Sequence, residues 1–146
     1  MRYEVFARTQ ENGTSRADCK ASDPLIFDTS AGEDVQHFGP AELLATSLAA
    51  CLLKNLARLA PKLRVPYTSA TARVSASREA NLPRISRLEY ELRIRTDEPA
   101  ERVGHLANLL TRYSTVYNTL ARACEIEGRV IADRDGTDIP TAGSDR

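Results

Sequence analysis

Apolar and polar residues alternate near the start of the chain. Tyr3, Val5 and Ala7 recur at every second position of residues 2–8, which predicts a strand. The Asn-Gly pair at residues 12–13 is a strong hairpin signal. We therefore expect a second strand at about residues 14–20 and a third at residues 24–27.

The longest apolar stretch lies at residues 40–60, between two prolines. Pro40 fits the first turn of a helix, where its missing N–H costs little, and Pro61 ends the helix. From Leu43 to Leu53 the helix is apolar nearly all round, which predicts burial on more than one side. At ~1.5 Å per residue it is about 30 Å long, roughly the width of a small domain, so we expect it to be central.

Alternation returns in the second half of the chain. Residues 64–78 and 85–96 predict a long antiparallel strand pair, whose polar sides carry charges that can pair across the strands. A helix then follows Asp97, the predicted N-cap, with Pro99 in its first turn and Leu106 on its apolar face.

The last predicted elements are a helix and a strand. Residues 113–126 predict a helix with Ser114 or Thr115 as its N-cap, and residues 128–134 predict a strand. Residues 135–146 are polar, and we expect a disordered tail there.

The order of elements predicts an α+β fold, because strands and helices do not alternate regularly. The 146 residues suit one domain, which we place at residues 1–134, with residues 135–146 as the tail.

Charge and composition give no support for several classes of partner. Twenty basic and 20 acidic residues cancel, so the sequence gives no support for a nucleic-acid or anionic-membrane partner. No apolar run is long enough for a membrane helix, and the first residues lack a signal-peptide core. The three cysteines do not form a secreted disulfide pattern. We therefore expect a cytoplasmic protein.

Motifs for bound cofactors are absent from the sequence. There is no phosphate-binding glycine loop, no dinucleotide fingerprint and no cysteine pair with zinc spacing. His37 and His105 are isolated and are expected at the surface or in caps. The sequence predicts no cofactor and no metal.

Cys51 lies near the middle of the long apolar helix and allows two interpretations. A free cysteine among Leu48, Ala50 and Leu52 can be a small core residue. It can instead be a reactive thiol, which requires a positively charged neighbour to favour the thiolate. Lys54 is within reach on the same helix, and Arg16 is a candidate from the N-terminal strands. The pattern of residues leaves both interpretations open.

The stretch "GPAELLATSLAACL" around Cys51 resembles the segment around the reactive cysteine of the OsmC/Ohr family, which comprises osmotically inducible protein C and organic hydroperoxide resistance proteins. "SDPLIFDTSAGED", "LEYELRIRT" and "YSTVYNTLARACEIEGRV" resemble other segments of that family, so the resemblance covers residues 2–134. It implies an intertwined homodimer, with long central helices wrapped by antiparallel sheets and with active sites at the subunit interface.

The resemblance also implies a chemistry and assigns residues to it. In that family a peroxidatic cysteine reduces an organic hydroperoxide and is itself oxidised to a sulfenic acid, which condenses with a second cysteine. A dithiol then resets the enzyme, and an arginine and a glutamate assist the thiolate. Cys51 matches the peroxidatic cysteine, and Arg16 is the best match to the arginine.

Two positions depart from the family pattern. Ser114 stands where the second cysteine is expected, so the two-cysteine cycle is not available at that position. The glutamate of the peroxidases directly follows the proline, where this chain has Ala41, and Glu42 comes one residue later. The Pro-x-Glu-Leu pattern is more similar to the OsmC-like branch. Cys124 is predicted to be a poor substitute for the missing cysteine, because it lies nearly three turns further along the same predicted helix. The sequence leaves open whether Cys19 approaches Cys51, and both are expected to be structural or surface thiols.

Two functions follow from this interpretation. The first is a thiol-dependent hydroperoxide reductase that uses Cys51 in a one-cysteine cycle with an external thiol or dithiol, in oxidative stress defence. In that cycle Ser114 is a spectator or a hydrogen-bond donor. The second is a non-catalytic OsmC-like dimer that binds a small apolar ligand or serves as a scaffold.

Overall fold

The computed structural model describes residues 1–20, 22–32 and 36–134, and these form six strands and three α-helices. In chain order they are β1 (Phe6–Thr9), β2 (Thr14–Asp18), β3 (Leu25–Asp28), α1 (Pro40–Leu59), β4 (Ser69–Arg78), β5 (Ile85–Arg95), α2 (Ala100–Arg112), α3 (Thr115–Leu120) and β6 (Glu125–Asp133). The predicted α+β class is confirmed.

The chain divides into two compact units, Met1–Leu44 and Ala45–Arg146, and the boundary falls within α1. The single domain expected at residues 1–134 stays a prediction. The tail expected at residues 135–146 lies outside the described residues.

The N-terminal unit contains an antiparallel sheet in the order β1-β2-β3. Asn12 and Gly13 have φ angles of 61° and 74°, which is the left-handed conformation that tight hairpin turns require. A Cβ at residue 13 would also lie 2.7 Å from the Cβ of Ser30, so glycine is needed there for space as well. The predicted hairpin is confirmed, although β1 begins four residues later than the alternation indicated.

The C-terminal unit contains a mixed sheet in the order β4-β5-β6. Strands β4 and β5 are antiparallel, as predicted, but β6 runs parallel to β5 from the pair Arg87–Glu125 to the pair Arg95–Asp133. The antiparallel pairing implied by the resemblance is thus present between β4 and β5, and β6 adds a parallel strand to it. Parallel neighbours need a long crossover connection, and here α2 and α3 provide it.

Two apolar clusters form the core of the C-terminal unit. The larger cluster joins the end of α1 to one side of the sheet and to α2 through Leu56, Leu92 and Leu106. The smaller cluster joins Leu48 and Leu52 of α1 to Leu88 of β5. Full burial of each of these leucines contributes roughly 1.5–3 kcal/mol. The core therefore fixes α1 against the sheet along the stretch that carries Cys51.

Two predicted helix ends are corrected by the structure. The helix expected at residues 113–126 ends at Leu120, because residues from Glu125 onward pair with β5. Helix α2 has Pro99 at its N-cap with no side-chain cap, so Asp97 is not the capping residue. Ser114 is the N-cap of α3, as predicted.

Candidate active site

Cys51 lies in the part of α1 that belongs to the C-terminal unit. Its neighbours Leu48 and Leu52 are completely buried, whereas Cys51 is only half-buried. The thiol is thus on the border between the apolar side of the helix and its accessible side. Cys51 is therefore not enclosed in the core as Leu48 and Leu52 are.

Ser114 is the direct partner of this thiol. Its hydroxyl oxygen lies 2.9 Å from the sulfur of Cys51 and donates a hydrogen bond to it. The same oxygen accepts the backbone N–H of Tyr117 at 3.1 Å, because Ser114 caps α3. A serine hydroxyl has one proton to donate, so the bond from Tyr117 leaves that proton free to point at the sulfur. Ser114 is 0% exposed, and its hydroxyl is therefore shielded from competing water.

Asn55 lies one turn after Cys51 on α1, and sequence reasoning missed it. It is buried, its side-chain Nδ2 donates to the carbonyl of Leu110 at 3.3 Å, and its Oδ1 accepts from Arg58 Nη2 at 2.9 Å. The sequence does carry a signal for a buried polar group there, because Asn55 is the one amide on the side of α1 that is otherwise formed by leucines.

Tyr117, which bonds to Ser114, packs against a second tyrosine, Tyr90. The rings of Tyr90 and Tyr117 meet edge to face, with centroids 6.4 Å apart and an interplanar angle of 87°. Burial, followed by the neighbouring Tyr117, raises the pKa of Tyr90. Both rings line an open groove of about 890 Å³ that also borders Thr111 and Gly128. Tyr117 therefore connects the cap at Ser114 to a space that a small molecule can enter.

Arg16 and Glu42 belong to the N-terminal unit. The guanidinium of Arg16 donates to both carboxylate oxygens of Asp18, at distances of 2.5–3.0 Å. This hydrogen bonding raises the pKa of Arg16 and lowers the pKa of Asp18. Glu42 is exposed, and its carboxylate folds back against Gly39 at the start of α1. The roles predicted for Arg16 and Glu42 beside the thiol stay predictions.

Cys19 and Cys124 are free thiols, as is Cys51. Cys124 packs in the smaller apolar cluster, and its sulfur donates weakly to the carbonyl of Leu120 at 3.5 Å. It follows the end of α3 rather than lying on that helix, contrary to the sequence prediction.

Within the described ranges, no group of three or more His, Cys, Asp or Glu side chains is arranged to hold a metal ion. None of the helices in that part of the chain has the length and apolar character needed to cross a membrane.

Comparisons with known proteins agree with these observations. The model of the family described as OsmC-like protein matches residues 32–128. An OsmC-like protein from Mycoplasma pneumoniae superposes with a TM-score of 0.81 at 19% identity, covering 90% of this chain and 97% of that one. A comparison with curated proteins by sequence finds no match.

Two further solved structures are named as organic hydroperoxide resistance proteins. The one from Legionella pneumophila has a TM-score of 0.69 at 13% identity, and the alignment covers 88% of this chain and 96% of that chain. The one from Elizabethkingia anophelis has a TM-score of 0.69 at 14% identity, with 91% and 99% covered. These likenesses establish the fold. Together with the family match, they show that the chain belongs to the OsmC-like family.

Proposed function

We propose that the chain is a thiol-dependent reductase of organic hydroperoxides in which Cys51 is the reactive residue. The observation that carries this proposal is the hydrogen bond from Ser114 Oγ to Cys51 Sγ at 2.9 Å. The hydroxyl is thereby held where it can donate a hydrogen bond to the sulfur while the sulfur reacts as a nucleophile. The names of the Legionella and Elizabethkingia structures support the choice of substrate class.

The first step oxidises the thiolate. The sulfur of Cys51 attacks one oxygen of the hydroperoxide, the O–O bond breaks, and the alcohol leaves after taking up a proton. Cys51 is then a sulfenic acid, which has gained one oxygen and lost two electrons to the peroxide.

An external thiol closes the cycle in this proposal. Ser114 has no sulfur, so a disulfide cannot form between residues 51 and 114. An external thiol therefore condenses with the sulfenic acid, releasing water and forming a mixed disulfide on Cys51. A second thiol then attacks the external sulfur of that mixed disulfide. Free Cys51 is restored, and the two external thiols leave as a disulfide.

We also propose that the working form is a cytoplasmic homodimer active in oxidative stress defence. The N-terminal unit supports a dimer, because several of its large apolar side chains are exposed, including Tyr3 at 76% and Phe6 at 64%. Three free cysteines suit a reducing compartment, where a thiol pool is present to recycle the enzyme.

The decisive experiment measures consumption of cumene hydroperoxide with dithiothreitol as reductant. We expect turnover by the wild-type chain and by the Cys124→Ser variant, and we expect the Cys51→Ser variant to show only the uncatalysed rate. Trapping with dimedone after peroxide treatment should label Cys51 alone. Turnover that persists in Cys51→Ser would show that another group does the chemistry.

The second predicted function gives a different result in the same assay. A non-catalytic dimer would show no turnover with any thiol, and Cys51 would resist both dimedone trapping and alkylation.

A further inference from the structure

A buried amide in an apolar core needs hydrogen-bond partners, because burial without them is costly. Asn55 is 6% exposed, and the buried residues nearest to it on α1 are Leu52, Leu56 and Leu59. An apolar residue would fit that environment without a polar partner. The partners of Asn55 therefore indicate what the amide is used for.

The partner of Asn55 is a carbonyl group that the end of α2 leaves open. The last carbonyls of a helix have no donor within the helix. In α2, the carbonyls of Leu109, Thr111 and Arg112 accept hydrogen bonds from donors later in the chain. In an uninterrupted helix the N–H of Ser114 would bond to Leu110, but here it bonds to the carbonyl of Thr111. The carbonyl of Leu110 instead accepts from Asn55 on α1.

The Asn55–Leu110 and Ser114–Cys51 hydrogen bonds both join α1 to the segment at the end of α2, and they are four residues apart on each side. On α1, Asn55 is four residues after Cys51, and Leu110 is four residues before Ser114. The two segments are thus tied together at two successive points, once through the amide and once through the sulfur. Fixing the first point sets which residue of the second segment faces the thiol.

Arg58 fixes the orientation of the amide. Its Nη2 donates to Oδ1 of Asn55 at 2.9 Å, so the oxygen end of the amide is occupied and the N–H end faces Leu110. A single buried asparagine that sets the alignment of two packed segments is a known use of such a residue.

We propose that Asn55 is a positioning residue that holds Ser114 against Cys51. The catalytic meaning of this inference rests on the proposed function, but the geometric claim does not. Removal of the amide shifts the end of α2 relative to α1, and the hydroxyl of Ser114 then loses contact with the sulfur.

The test measures how fast a disulfide forms between residues 51 and 114. In a background carrying Cys19→Ser, Cys124→Ser and Ser114→Cys, the side chains at residues 51 and 114 start from a contact of 2.9 Å between Oγ and Sγ. A disulfide bond is about 2.05 Å long, so little movement is needed to close it. Diamide oxidises the two thiols, and mass spectrometry follows closure of the bond over time.

We expect Asn55→Leu in this background to slow closure by roughly 10-fold to 100-fold, as a displacement of about 1 Å does for other reacting groups. Asn55→Asp, which keeps an acceptor for Arg58 but loses the N–H donor, should slow closure as well. Thermal unfolding of each variant shows that it is folded. The matched control is Leu56→Ala, which removes core packing at the next residue but leaves both hydrogen bonds of the Asn55 side chain in place.

Three results would overturn the proposal. Closure of Asn55→Leu at the rate of the background shows that the amide does not set the contact. Equal slowing by Leu56→Ala shows only general loosening of the core. A background that does not close at all shows that residues 51 and 114 are not held together in solution.

The same variant separates this inference from the proposed function. In the otherwise wild-type chain, Asn55→Leu should slow dimedone-detected oxidation of Cys51 by cumene hydroperoxide by on the order of tenfold. If the wild-type chain does not react with peroxide, the proposed function fails. The rate of disulfide formation between residues 51 and 114 still decides the role of Asn55.

Discussion

The hydroxyl of Ser114 has two hydrogen-bond partners in the structure, the N–H of Tyr117 and the sulfur of Cys51. The resemblance to relatives with a second cysteine identified the position, and the structure shows an oxygen in contact with the thiol there. The position that the resemblance matches to the second cysteine therefore faces the thiol, and it carries a hydroxyl. It can donate a hydrogen bond to the sulfur, but it cannot form a disulfide with it.

Asn55 shows where prediction from sequence stops at this scale. Ser114 could be assigned from local sequence, because a helix cap and a family segment both lie in consecutive residues. The partner of Asn55 is 55 positions away in the chain, and nothing local to either residue indicates the bond. The pairing of Arg16 with Asp18 was missed too, although alternate residues of a strand point to the same side.

Glu91 gives a prediction for the dependence of stability on pH. Hydrogen bonds from Arg129 first and Arg93 second hold the pKa of Glu91 below its usual range. A carboxyl whose pKa is lowered by folding adds stability above its unfolded pKa of about 4.3, and that stability is lost as the pH falls through the folded value.

We therefore expect Glu91→Gln to cost about 1 kcal/mol at pH 7, because both arginines are partly exposed and solvent weakens such pairs. The difference in unfolding free energy from the wild type should shrink below about pH 4. Urea titrations at pH 7, 5 and 3 measure it, and Glu89→Gln is a control on the same strand. A difference that stays constant over this range would contradict the assignment.

At the scale of elements, prediction succeeded where one pattern decided the structure. Helix α1 and strands β4 and β5 agree with their predicted bounds to within five residues, because long apolar or alternating stretches specify them. The predicted end of α3 was wrong. Residues 121–126 have a composition typical of helices, but Glu125 and Ile126 pair with β5 as the start of β6. A bond pattern between distant strands overrode local preference there.

The direction of β6 could not be predicted from the sequence. Alternation predicts a strand but says nothing about whether its neighbour runs parallel or antiparallel. The crossover through α2 and α3 decides this direction, and its path depends on the core at Leu92 and Leu106.

Gly128 and Gly104 give a matched pair of stability predictions for β6 and α2. A Cβ on Gly128 would lie 2.2 Å from the ring of Tyr90, whereas a Cβ on Gly104 meets no atom within 4 Å. We expect Gly128→Ala to destabilise the protein by roughly 1–3 kcal/mol through overpacking. We expect Gly104→Ala to stabilise it by about 0.5–1 kcal/mol, because glycine is a poor helix former.

Urea unfolding of both glycine variants and the wild type tests this pair. The ordering from most to least stable should be Gly104→Ala, wild type, Gly128→Ala. If Gly128→Ala is as stable as the wild type, the Tyr90 ring is not fixed under β6.

At the scale of the whole molecule, the exposed apolar side chains of the N-terminal unit lead to a prediction of oligomeric state. Tyr3, Val5, Phe6, Leu25 and Phe38 are all largely exposed, which is unusual for an isolated soluble unit. We expect light scattering to give a mass of twice the 16.1 kDa of one chain. Phe6→Ser and Leu25→Ser together should shift the mass toward that of one chain, whereas Leu82→Ser, an exposed leucine of the other unit, should not. A monomeric wild type would contradict the proposed homodimer.

The parallel pairing of β6 with β5 has a topological consequence for the thiol site. Residues 96–124, which carry Ser114, form a loop whose two ends are both held in the same sheet. Because both ends are anchored, Ser114 can move away from Cys51 only by a shift within this segment, and not by the swing of a free arm. Hydrogen exchange should therefore show the amide of Tyr117, which bonds to Ser114, protected to a similar degree as the β5–β6 pairs, and faster exchange at Tyr117 would indicate a freely moving segment.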